Sequence, residues 1–290
     1  MSEAGPPDSD AAAARERGRA AYGRRAWREA YETWAPLERA GALSLEEQQL
    51  LATAAALTGR DADFLELLER LYQRHLAAGH SQRAARCGVW LVLRSFALGE
   101  SGRANGWLSR VRRLVEAEAG GCAEEGYLLV PSVHRALATG DWSGAGDLAA
   151  RAAQIGERFA DVDLTALARN LQGGALLRQG QVDAGLALLD ETMLAASSGE
   201  LSPIITGLVY CSATRWCRDV YAFGRAREWT QVLASWCDAQ PAPDSTLASP
   251  GSTCRSWMST ASPATSEAPC LPHPGCTSWG CISCMRCRPR

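Results

Sequence analysis

The chain has 290 residues with 30 basic and 32 acidic side chains, for a formal net charge of −2. Every basic residue is an arginine, so the chain lacks the lysine amine that a Walker A loop, a kinase strand or a pyridoxal enzyme requires. The balanced charge gives neither a basic footprint for nucleic acid nor a polybasic membrane patch, and we expect no direct DNA binding and no membrane association.

Residues 1–10 are acidic and lack the apolar stretch of a signal peptide. We expect them to be disordered and the protein to be cytoplasmic. Residues 11–240 read as helix throughout: apolar positions recur at i, i+3, i+4 and i+7, and Gly-centred turns interrupt them. Ser44 with Glu47 forms a capping box, and Ser202 before Pro203 places a capping oxygen ahead of a first-turn proline. The apolar run from Ser202 to Thr214 is too short and too polar to span a bilayer.

The turns repeat. A residue shortly after each turn gives the series Ala30, Phe64, Ala104, Ala145, Gly185 and Ala226, spaced by 34, 40, 41, 40 and 41 residues. Five of the six are small, as close helix crossings require. A large residue follows four positions later in several units: Trp34, Leu68, Leu108 and Leu189. This predicts an all-α fold, an α-solenoid of about six helix pairs that bury their apolar faces by stacking on neighbours. A non-repetitive helical bundle is the alternative.

Arg83, Arg86, Trp90 and Arg94 fall at spacings of three, four and four, hence on one helical stripe. Arg135, Arg169 and Arg215 occupy first helices of later units. On the concave face of a solenoid these guanidinium groups would clamp the carboxylates of a peptide or an anionic effector. The alternative is a solvated face carrying i,i+4 pairs.

No catalytic constellation, cofactor or metal is expected. Gly144 to Gly146 matches part of a dinucleotide fingerprint but follows a helix, not a strand. Cys87, Cys122, Cys211, Cys217 and Cys237 are scattered and read as small buried hydrophobes. His75, His80 and His134 lack ligand spacing.

Composition changes near Pro241. Residues 241–290 hold 8 of the 13 prolines and 6 of the 11 cysteines, and only two leucines. Such a segment cannot bury enough surface to offset its ordering entropy, so a disordered tail is expected. Two readings stay open: a native low-complexity tail, or a GC-rich coding region read out of frame. Cys276, Cys281, Cys284 and Cys287, with His273 nearby, have metal-ligand spacing inside this segment.

The first unit, with Gly18, Tyr22, Ala30 and Trp34, resembles a tetratricopeptide repeat. A wider resemblance is to the helical-repeat region of actinobacterial LuxR-type transcription regulators. It rests on Gly18 to Tyr22 with Trp27 to Tyr31, Leu50 to Ala54 with Thr58 to Asp61, Arg83 to Cys87, Gly106 to Leu108, Gly185 to Glu191, Gly199 to Pro203, and Arg225 to Trp229 with Trp236 to Pro241. It covers residues 11–241 and then stops. In that family a helix-turn-helix follows, and it is not found here. The resemblance implies a non-catalytic module that binds a protein segment or small effector on its concave face, truncated before its DNA-binding domain. Such an uncapped repeat would self-associate. The alternatives are a stand-alone tetratricopeptide adaptor, and a metal or redox protein using the tail cysteines.

Overall fold

A computed structural model describes residues 7–118 and 120–238, and all regular structure among them is helical. The expected tail at 241–290, with its cysteines, lies outside the described residues. The helices are α1 Pro7–Gly23, α2 Trp27–Arg39, α3 Leu45–Leu57, α4 Asp61–Ala77, α5 Ser81–Ala97, α6 Ser101–Glu116, α7 Glu124–Tyr127, α8 Val130–Thr139, α9 Trp142–Arg158, α10 Val162–Arg178, α11 Val182–Ser198, α12 Pro203–Asp219 and α13 Phe223–Asp238. The first helix starts at Pro7, inside the stretch expected to be disordered.

Local signals place the helix ends. Ser44 caps α3 as a capping box: its hydroxyl accepts from the Glu47 N–H, and the Glu47 carboxylate accepts from the Ser44 N–H. Asp161 caps α10 by accepting from the Leu164 N–H at 2.8 Å. At α12, Pro203 opens the helix as expected, but the Ser202 side chain makes no capping bond. The Ser202 backbone N–H instead donates to Asp163 at 2.8 Å, tying the start of α12 to the start of α10.

Helices pack mainly on their chain neighbours, α1 on α2, α3 on α4, α5 on α6, α8 on α9, α10 on α11 and α12 on α13, with α7 against α9. These are the six expected pairs, stacked as a solenoid-like repeat. The register is regular: Ala30, Phe64, Ala104, Ala145, Gly185 and Ala226 are each the fourth residue of the second helix of their pair, and all are buried. Gly185 shows why the position is small. A Cβ there would sit 2.8 Å from the Gly173 carbonyl oxygen across the α10–α11 crossing.

The two helices of a pair are buried differently. Second helices bury one stripe, such as Ala104, Trp107, Val111 and Val115 in α6. First helices inside the array are covered on more sides, as with Leu91 to Ser95 in α5 or Leu164, Ala166 to Ala168 and Leu171 in α10, whereas α1 is largely exposed and α8 buries a single stripe. Two cores result. One joins α1 to α6, reaching Trp107, and the other runs from α5 to α13. The array also curves back on itself: α12 contacts α3, and Ile204 of α12 belongs to the first core. Trp90, Leu114 and Leu208 pack against both cores.

Candidate functional site

The structure separates the arginines that share a sequence stripe. On α5, Arg83 is exposed, while Arg94 is 4% exposed and paired with Asp61 at the start of α4. Trp90 is half-buried between the two cores, not displayed in a groove. Arg86 donates from Nε to Glu124 at 2.8 Å and from Nη2 to Asp161 at 2.6 Å. Its guanidinium lies 4.2 Å from the Tyr127 ring centroid, and the Tyr127 hydroxyl donates to the other Asp161 oxygen at 3.2 Å. Burial works to lower the Arg86 pKa, but Tyr127, Asp161 and Glu124 outweigh it and raise the value. Arg86 therefore fastens α5 to α7 and to the cap of α10.

Arg135 is exposed on α8 and, among the described residues, reaches Ser132 at 3.4 Å. Arg215 lies over the Trp216 ring at 5.0 Å, with its Nε 4.0 Å from Asp219. Arg169 spans two helices: Nη2 donates to Glu157 of α9 at 2.7 Å, and Nη1 donates to Glu191 of α11. Three of the candidates, Arg86, Arg94 and Arg169, thus hold helices together with carboxylates of the same chain. These ion pairs are between helices, whereas Arg215 with Asp219 is an i,i+4 pair of the kind the sequence also allowed.

Arg169 also lines a cleft of about 250 Å³ between the end of α9, the start of α10 and the second half of α11. Small and apolar residues, among them Gly156, Ala166, Ala195 and Leu201, form part of its wall. Val162 on its lip is 54% exposed. Among the described residues, Glu157, Glu191 and Glu200 line it with Arg169 as the only basic group, a net charge of −2. These glutamates are not among the candidates read from the sequence. They lie 12 and 22 residues from Arg169, or 31 in the case of Glu200, and no local motif joins such positions.

The remaining polar groups have structural settings. The Cys87 thiol is pushed up to about 12 by burial, and Cys122 and Cys217 to about 11. His134 is lowered to about 4, by burial and then by the charge of Arg215. Among the described residues, no group of three or more His, Cys, Asp or Glu is placed to hold a metal ion, and no helix is long and apolar enough to cross a membrane.

No family model matches the chain, and a search of curated proteins found no match.

Proposed function

We propose that the chain is a non-catalytic, cytoplasmic binding module that takes up a protein segment or a small effector. In this reading it is the counterpart of the tetratricopeptide-like sensor region of a LuxR-type transcription regulator, without direct DNA binding of its own. The observation that carries the reading is the array of six helix pairs in one register, with a small or buried residue at the fourth position of every second helix. Such an array offers a long surface from few contacts per repeat, which suits recognition more than chemistry. The settings of its reactive groups agree. The buried thiols are protonated at neutral pH, and the arginines with the best geometry are engaged in ion pairs between helices. The link to transcription rests on the resemblance over residues 11–241.

Sequencing the coding DNA across codon 241, with all three forward frames read downstream, tests that link. A shifted frame that continues with helical repeats into a helix-turn-helix is the expected result. A confirmed frame with no such continuation in any reading would replace the regulator with a stand-alone adaptor. The binding role is tested separately, by screening the full chain against peptide and metabolite libraries for ligand-induced shifts of the melting midpoint. Saturable binding is expected, and a chain that binds no ligand class would sink the module reading.

A further inference from the structure

The cleft between α9, α10 and α11 has a chemistry opposite to the one its arginine suggests. Taken alone, Arg169 is a residue for binding carboxylate or phosphate. In place, its guanidinium is already shared between Glu157 and Glu191. An incoming anion would have to displace both and would meet Glu200 on the same lining. Those carboxylates leave the recess with net charge −2. Glu157 and Glu191 are 49% and 53% exposed, so they remain open to a ligand as well as to Arg169.

Size and lining narrow the ligand. At about 250 Å³ the recess is below the roughly 300–1,000 Å³ of a pocket that encloses a whole small molecule. It is the size for one long side chain. The wall provides apolar contact for a methylene stem, from Val162, Ala166, Ala195 and Leu201, and the rim provides carboxylates for a cationic head. Glu157 and Glu191 already pair with a planar guanidinium in the structure, that of Arg169.

We infer that this cleft is a docking site for an arginine side chain of a basic partner peptide. The inference rests on the binding-module reading and gives it a ligand class. The head group pairs with Glu191, Glu200 and Glu157 at the rim, the stem lies on the apolar wall, and the partner backbone crosses the lip near Val162.

The test is calorimetric titration of the full chain with an acetylated, amidated Ala-Arg-Ala tripeptide at low and high salt. Its citrulline counterpart, isosteric but neutral, and free arginine are titrated in parallel. We expect the arginine peptide to bind at least about tenfold more tightly than the citrulline peptide, because charge-assisted bonds are lost in the latter. The difference should shrink at high salt. Glu200→Gln should weaken the arginine peptide and leave the melting midpoint near that of the parent; Glu191→Gln should weaken it as well, with a small fall of the midpoint as its half-exposed pair with Arg169 is lost. Equal binding of the two peptides overturns the inference, as does no heat with the arginine peptide at low salt. Free arginine binding as tightly as the peptide overturns the peptide source in favour of a small guanidine ligand. If the glutamate variants fail to fold, the arginine–citrulline pair on the parent chain still decides. A chain that ignores these tripeptides but binds another ligand in the library screen loses the cleft and keeps the module.

Discussion

Arg86 shows how a single side chain can look like a ligand clamp and serve as a fastener. Its two carboxylate partners come from α7 and from the cap of α10, with side chains only 7% and 14% exposed. Arg86→Ala would leave Glu124 and Asp161 facing each other with little solvent, and breaking a buried pair from one side costs about 3–5 kcal/mol. Urea denaturation should show a loss of that size, and Glu124→Gln in the same chain should recover part of it. A loss under about 1 kcal/mol, the value of a surface pair, would mean that the pair is solvated. The histidines give a second residue-scale expectation. His75 and His134 both have lowered pKa values: His75 through burial and then Arg83, His80 and Arg74, and His134 through burial and then Arg215. Each is therefore neutral in the native state at a pH where the unfolded chain protonates. Stability should fall as pH drops below about 6.5, at up to about 1.4 kcal/mol per pH unit for each histidine. The His134 share continues to about pH 4, its native pKa. Asp163, raised by burial, opposes this near the bottom of the window, because the native state takes up its proton first. His134→Gln should flatten the fall between pH 6.5 and 4 in denaturation curves. An unchanged slope would place the acid sensitivity elsewhere.

At the scale of the helix, the same substitution should act with opposite signs at two glycines. In Gly185→Ala the new Cβ meets a backbone oxygen, that of Gly173, at 2.8 Å, and Leu177 at the same distance. Overpacking costs about 1–3 kcal/mol, more than the roughly 1 kcal/mol that replacing a helical glycine returns. The net should be a loss. Gly207, inside α12, has nothing within 4 Å of the place a Cβ would take, so Gly207→Ala should raise stability by up to about 1 kcal/mol. Melting of the two variants side by side checks both, and a stabilised Gly185→Ala would mean that the α10–α11 crossing is looser than described. This crossing was legible in the sequence because close approach needs a small residue at a fixed place in every pair, and Ala30, Ala104, Ala145, Gly185 and Ala226 recur on that account. The cleft was not legible. Whether Glu157 and Glu191 flank Arg169 depends on how α9, α10 and α11 stack, which no spacing along one helix encodes. The stripe on α5 failed for a related reason: Arg83, Arg86, Trp90 and Arg94 share one side of a helix, but that helix is packed on nearly every side, so the stripe crosses several neighbours.

At the scale of the whole molecule, two cores share one curved array, and repeat proteins keep their cooperativity only as far as the contacts between units carry it. Along the chain the cores meet at α5 and α6, where Trp90 and Leu114 pack against both. Across the curve they meet through α12, where Leu208 touches both cores and the buried Ile204 joins the core of the first pairs. The second connection links segments about 150 residues apart, and closing so long a loop costs only modestly more entropy than closing a short one. Ile204→Ala removes about 2–5 kcal/mol of packing at that point. The loss should fall unevenly. Native-state hydrogen exchange should show α1 to α4 opening at a lower free energy than α9 to α11, where the parent chain shows closer values. If both cores lose protection equally, the α3–α12 contact is not what couples them. The sequential stack, through Trp90 and Leu114, would then carry the cooperativity alone.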